Sequence, residues 1–318
     1  MFNSLLSLFC GTCMLYFGAE WIVKGSSRIA SKLGISSLVI GLTVVAFGTS
    51  LPELIVSIFS ALEGSPSIAV GNVVGSNIAN VGLVLGLSAL FFPFIYVQYN
   101  DIKRDLYVYL FSCGLFIFFA FDGRISQFEG IIFVTCLLFY ILYCIKSPLA
   151  SDKDSEELTD IKMSKLIFLI ISGIILLSIG AEIFVDGAIY LARYYGLSEV
   201  IIGMSVVAFG TSLPELATSV MAAFKKESAI SVGNIIGSNI FNILSVLGIT
   251  SIIYPLDSPR NIMSKEVLFM VGFAFALFVI AKLPQPISRI YFNIFTYRIY
   301  NLYLYAILTY IIKIILIT

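Results

Sequence analysis

One eleven-residue string, VVAFGTSLPEL, occurs twice in the chain, at Val44–Leu54 and again at Val206–Leu216. Each copy carries a glutamate, Glu53 or Glu215, inside a stretch otherwise apolar enough to cross a bilayer. A carboxylate in hydrocarbon is costly and persists mainly where it lines an ion or substrate pathway. No basic residue lies close by in sequence to neutralise either one. The residues therefore point first to a membrane chain with a cation pathway.

Composition supports that environment. Hydrophobic residues make up 59% of the chain and charged residues 12%, and the mean hydropathy is +1.02. Residues 64–100 and 228–256 contain no Asp, Glu, Lys or Arg, whereas a membrane helix needs only about 17–25 apolar residues. The chain begins directly with an apolar helix, so Met1–Trp21 reads as a first span and not as a cleaved signal. With zero net charge there is no argument for nucleic acid. The lipid bilayer is the implied surrounding, and no obligate protein partner or cofactor is inferred. Histidine is absent, which removes imidazole metal sites, His proton relays and a Ser–His nucleophile. A Ser–Lys protease fails because the spans holding Ser50 and Ser212 contain no Lys, and paired intramembrane Asp residues are missing. The chain is not expected to be an enzyme. Cys10 and Cys13 read as packing residues.

The repeated string belongs to a larger duplication. Aligning 41–87 on 203–249 at a constant offset of 162, without a gap, gives 26 identities in 47 positions. The register reaches upstream to Gly18-Ala19-Glu20 over Gly180-Ala181-Glu182. A self-similarity this long marks two structural repeats. The hydropathy pattern predicts five helices per half, near 4–24, 37–62, 67–92, 106–122 and 128–146, then 165–187, 199–224, 229–254, 266–282 and 292–316. The expected fold is an all-α integral membrane protein of ten transmembrane helices. Its first five-helix repeat spans 1–146, a polar linker 147–164, and its second repeat 165–318, the whole forming one integrated membrane domain. An odd number of spans per repeat forces the halves to cross in opposite senses, making the repeats inverted. With the N-terminus outside, the inner loops hold thirteen Lys and Arg, and the outer loops hold only Arg124, Arg193, Arg260 and Lys265. That bias places the linker in the cytoplasm.

Gly48-Thr49-Ser50-Leu51-Pro52-Glu53 and its copy Gly210-Thr211-Ser212-Leu213-Pro214-Glu215 each combine a permissive glycine with a helix-disturbing proline. A break there frees carbonyls, and irregular backbone at membrane depth is tolerated where it lines a polar cavity or is packed in protein. The next helices add Asn72, Ser76 and Asn80, spaced four apart on one face, and their copies Asn234, Ser238 and Asn242. Together these form an oxygen-rich constellation with two negative charges. It suits Na⁺ and Ca²⁺, the latter accepting about 6–8 oxygens in flexible geometry. Inverted repeats with broken helices meeting at the midplane are a recurrent design of secondary transporters.

The paired GTSLPE and GNxxGSN segments closely resemble the two alpha-repeats of the sodium/calcium exchanger family, within the cation/calcium exchanger superfamily. The chain looks like a compact prokaryotic-type member. The resemblance implies Na⁺/Ca²⁺ antiport by alternating access, with the first span of each repeat sliding as a pair. It implies that Glu53 and Glu215 are central Ca²⁺ ligands that also touch Na⁺, joined by the carbonyls of Thr49 and Thr211. Ser50, Ser76 and the carbonyl of Ala46 would form one peripheral Na⁺ site, and Ser212, Ser238 and the carbonyl of Ala208 its partner. Asn80 and Asn242 would complete the central region. Some relatives carry Asp where this chain has Asn242, so K⁺ co-transport is not expected. The proton-coupled branch typically carries GNxxE where this chain reads GNVVGSN and GNIIGSN, leaving Ca²⁺/H⁺ antiport as the alternative. Two carboxylates neutralised by one Ca²⁺ would be over-neutralised by three Na⁺, so exchange should be electrogenic. The expected location is the plasma (inner) membrane. Glu20, Glu182, Thr43 and Ser205 read as structural groups, and the aromatics of 291–310 as an interface belt.

Overall fold

Long apolar runs without internal proline make helices, and prolines or glycines set their limits. The computed structural model describes residues 1–91, 98–146, 161–197, 208–258 and 265–282. The first helix, α1 (Phe2–Leu33), ends where Gly34 adopts φ 65° and its N–H reaches Ala30 and Ser31 carbonyls, a left-handed cap that favours glycine. A helical run over Ser37–Leu62 follows, made of α2 (Ser37–Ile40), a wide turn at Gly41–Val45, α3 (Ala46–Thr49) and α4 (Leu51–Leu62). Next come α5 (Pro66–Ala79), a second wide turn at Asn80–Val84, and α6 (Leu85–Phe91). The first half closes with α7 (Tyr99–Phe119) and α8 (Gln127–Lys146).

In the second half, α9 (Met163–Tyr194) matches α1 in length, and α10 (Ala208–Thr211) and α11 (Leu213–Phe224) match α3 and α4. Then α12 (Ser228–Phe241) passes through a wide turn at Asn242–Leu247 into α13 (Gly248–Ile253), and α14 (Glu266–Ala281) follows. The offset of 162 recurs in the elements themselves: α4 and α11, and α5 and α12, start and end at equivalent positions. Among the described residues, seven helical segments are long and apolar enough to cross a membrane. Two shorter apolar helices are α11 and α14. The predicted span at 292–316, the start of the one at 199–224 and most of the linker lie outside the described residues.

Three predicted helices need correction, and the one drawn at 106–122 starts at Tyr99. The helices drawn at 4–24 and 165–187 run instead over Phe2–Leu33 and Met163–Tyr194. At a rise of about 1.5 Å per residue, 32 residues exceed the thickness of a hydrocarbon core. No proline interrupts 25–33, and Gly25, Ser26, Ile29 and Ala30 keep a buried stripe going while Lys24 and Lys32 remain exposed. The helix thus continues past the apolar window that hydropathy detects.

These two helices pack antiparallel through small residues repeated every seven positions. Ser4, Gly11, Gly18 and Gly25 on α1 meet Gly187, Gly180, Gly173 and Leu166 on α9 in order. A Cβ at Gly18 would lie 2.9 Å from the Gly173 carbonyl oxygen, and one at Gly11 2.8 Å from that of Gly180. Without a hydrophobic drive between helices in lipid, such close backbone approach supplies the packing.

The other centre of the fold is α12 with its continuation, where every residue from 230 to 248 is buried. Its Gly233 and Gly237 admit the first-half run: a Cβ there would meet the Leu38 oxygen at 2.7 Å and the Leu42 oxygen at 2.6 Å. The halves are joined again by a short antiparallel ladder pairing Arg124 with Asp257 and Ile125 with Leu256. Replacing Gly18 by Leu should therefore separate α1 from α9. Overpacking costs about 1–3 kcal/mol, and the expected outcome is a lower melting temperature in detergent, whereas Gly114→Leu, where an added Cβ meets no neighbour, melts close to the parent.

Candidate cation-binding site

Each repeated string breaks its helix at the serine. Ser50 has φ −85° and ψ 2°, and Ser212 φ −87° and ψ 5°. Pro52 and Pro214, two residues later, supply no N–H, so the carbonyls of Gly48 and Gly210 lose their usual donor. The chain resumes as α4 and α11 with Glu53 and Glu215 in the first turn. Both glutamates are fully buried, and they lie close enough to repel one another.

Neighbouring residues brace these turns in a repeated way. Asn72 donates through Nδ2 to the Glu53 backbone oxygen (3.2 Å) and to Ser57 Oγ (3.1 Å). Asn234 donates to the Glu215 backbone oxygen (3.4 Å) and to Ser219 Oγ (2.9 Å). Side chains then cross between halves. Ser50 Oγ donates to Glu215 Oε1 at 3.4 Å, while Thr49 Oγ1 donates to Asn234 Oδ1 at 3.0 Å and lies 3.2 Å from Ser238 Oγ. Within the first half, Ser76 Oγ donates to Glu53 Oε1 at 3.4 Å.

What is left unpaired is informative. Glu53 Oε2, Glu215 Oε2, Asn80 Oδ1, Asn242 Oδ1 and Ser212 Oγ are buried and have no hydrogen-bond partner. Buried polar atoms are nearly always satisfied, and an isolated buried carboxylate is more costly still. All five are hard oxygen donors, the set that suits Na⁺ or Ca²⁺. Among the described residues there is no cluster of three or more His, Cys, Asp and Glu that could hold a metal. The charge on the site thus comes from two carboxylates amid neutral oxygens.

The structure places the remaining sequence candidates around this centre. Ala46 is buried, and its carbonyl accepts from Ser50 N at 3.0 Å and Thr49 Oγ1 at 3.3 Å. Thr49 is buried, whereas its equivalent Thr211 is only partly so. Ala208 opens α10. Asn72, read from sequence as sharing the site face with Ser76 and Asn80, serves as a brace for the Glu53 turn. Sequence reasoning missed Ser57 and Ser219, its brace partners, although each is a serine four residues after the repeated glutamate. Asn77 and Asn239, the last residues of the two GNxxGSN segments, had no role assigned and Tyr109 was missed; together they form a buried polar cluster beside Asn242. Thr43 takes the structural role expected of it, donating to the Val39 carbonyl at 2.6 Å.

The family model described as sodium/calcium exchanger protein matches residues 3–146 and 165–309. The chain belongs to the sodium/calcium exchanger family. Similar relatives include the sodium/calcium exchanger MaX1 of Methanosarcina acetivorans, 35% identical over 329 residues, covering 90% of this chain and 93% of the relative. The inner membrane protein YrbG of Escherichia coli is 35% identical over 291 residues, 88% of this chain and 89% of its own. Among solved structures, the sodium-calcium exchanger NCX_Mj superposes with a TM-score of 0.80 at 34% identity, covering 94% of this chain and 96% of that one. The family is one of exchangers and not of enzymes.

Removing one of two buried like charges relieves repulsion and desolvation in the ion-free protein. Glu53→Gln and Glu215→Gln should therefore melt no lower than the parent without divalent ions. A bound ion stabilises by about 2.7 kcal/mol at a hundredfold excess over its Kd, so Ca²⁺ should raise the parent's melting temperature and leave both variants nearly unmoved.

Proposed function

We propose that this chain is a secondary antiporter that exchanges Na⁺ for Ca²⁺ across a membrane by alternating access. The observation that carries the reading is the pair of fully buried glutamates whose outer oxygens have no partner. Glu53 and Glu215 act as the central Ca²⁺ ligands, with backbone oxygens of Thr49 and Thr211. Na⁺ occupies peripheral positions formed by Ser50, Ser76 and Ala46 on one side and by Ser212, Ser238 and Ala208 on the other, while Asn80 and Asn242 complete the centre. The inter-half bonds from Ser50 to Glu215 and from Thr49 to Asn234 support a site assembled from both repeats. One Ca²⁺ balances two carboxylates and three Na⁺ over-balance them, so the exchange carries net charge.

The same reading takes the chain as ten spans in two inverted repeats, 1–146 and 165–318. The N-terminus lies outside and the 147–164 linker in the cytoplasm of a plasma (inner) membrane. The recurrence of the offset in α4 and α11 and in α5 and α12 supports the duplication, and the antiparallel packing of the equivalent helices α1 and α9 supports the inversion. On the side assigned to the cytoplasm, α1 packs along α11, and Lys225 pairs with Glu20 at 2.9 Å. That hydrogen bond lifts the Lys225 ammonium above its ordinary range. Ser27 donates to Glu227, and Lys32 Nζ to the Ile161 carbonyl at 2.7 Å. These contacts favour a state closed on the linker side.

The test is ⁴⁵Ca²⁺ uptake into proteoliposomes loaded with Na⁺. Uptake should require the outward Na⁺ gradient, ignore a pH gradient and disappear in Glu53→Gln and Glu215→Gln. Uptake driven by pH alone would instead place the protein among Ca²⁺/H⁺ antiporters.

A further inference from the structure

The repeat equates Asn77 with Asn239 and Asn80 with Asn242, yet the four carboxamides are not used alike. Asn242 Nδ2 donates to Asn77 Oδ1 at 3.1 Å, and Asn77 Nδ2 donates to the Asn239 backbone oxygen at 3.2 Å. Asn242 is thereby tethered by its nitrogen, leaving its oxygen unpartnered. The equivalent bond in the other half would run from Asn80 Nδ2 to Asn239 Oδ1. It is not made: both polar atoms of the Asn80 side chain are buried and unpartnered. Asn239 Oδ1 instead accepts from the Tyr109 hydroxyl at 3.1 Å, and its Nδ2 donates to the Ile235 carbonyl at 2.6 Å. With both ends held, that carboxamide is fixed toward α7. Tyr109 is fully buried, and the residue 162 positions on is Val271, which has nothing to donate.

We propose that Tyr109 is a positioning residue that makes the two halves of the ion site inequivalent. By holding Asn239 it keeps Asn80 untethered, so the Asn80 oxygen can turn to whichever ion occupies the centre, while Asn242 presents its oxygen from a fixed carboxamide. This rests on the reading of Asn80 and Asn242 as ion ligands. In Tyr109→Phe the freed Asn239 oxygen becomes an acceptor for Asn80 Nδ2, and turning the Asn80 oxygen toward an ion then has to break that bond.

The experiment measures Ca²⁺ uptake into Na⁺-loaded proteoliposomes as a function of each ion, with folding checked by melting. A hydrogen bond of ordinary net strength corresponds to about a fivefold change, so Tyr109→Phe should raise the half-saturating Ca²⁺ concentration by about that factor. The shift should vanish in an Asn80→Ala background and persist in Asn242→Ala. Adding Asn239→Leu, which removes the competing acceptor, should recover most of it. A comparison that leaves Tyr109 in place gives the same information: Asn239→Leu and Asn80→Ala should add independently, whereas Asn77→Leu and Asn242→Ala should not. An unshifted Tyr109→Phe, the same shift without the Asn80 side chain, or equal coupling in both asparagine pairs overturns the proposal. If Asn80→Ala alone leaves both ion dependences unchanged, the ligand reading itself is wrong and Tyr109 has nothing to position.

Discussion

Two carboxylates share one buried site, and their mutual repulsion sets the terms for everything around them. Glu53 and Glu215 are withdrawn from water with only one oxygen each hydrogen-bonded, to Ser76 and to Ser50. Neither has a lysine or arginine among the ion pairs of the described residues. A pair so placed is unstable on its own terms and becomes favourable only when cations enter. On the proposed function, the cost of the empty site drives ion capture, and the unpartnered neutral oxygens of Asn80, Asn242 and Ser212 would let the same site hold ions of different charge.

Holding two such groups in place requires rigid surroundings. The asparagine braces at Asn72 and Asn234 tie each glutamate's own backbone to a serine one turn further along. The helix containing Asn234 is buried from Ile230 onward, its glycines pressed against the first-half run. Beside this block, α1 and α9 pair antiparallel through glycine backbones and share a buried apolar cluster with Ile40, Leu213 and Ile230.

Much of the site was legible because duplication writes it twice. A glutamate, a proline, two serines and an asparagine that all recur at one offset are hard to dismiss as packing, and the structure joins Ser50 to Glu215 and Thr49 to Asn234 and Ser238 across the halves. Less was legible where the repeats do different jobs or touch out of register. Gly18 aligns with Gly180 in sequence but packs on Gly173, because antiparallel contact pairs a rising position with a falling one. Asn72 had the spacing of a ligand and the task of a brace, since helical spacing states the face and not the direction of a carboxamide. Tyr109 lies in an apolar helix and has no repeat mate, so self-comparison passes over it. The full lengths of α1 and α9 escaped because hydropathy marks the bilayer crossing and not the helix.

The central claim is that both repeated glutamates close on one divalent ion. Anomalous diffraction from crystals soaked in Sr²⁺, standing in for Ca²⁺, tests this directly. The account predicts one strong peak within about 2.6 Å of carboxylate oxygens from both Glu53 and Glu215. A peak bound by only one of them, or strong density elsewhere with none between them, would contradict it.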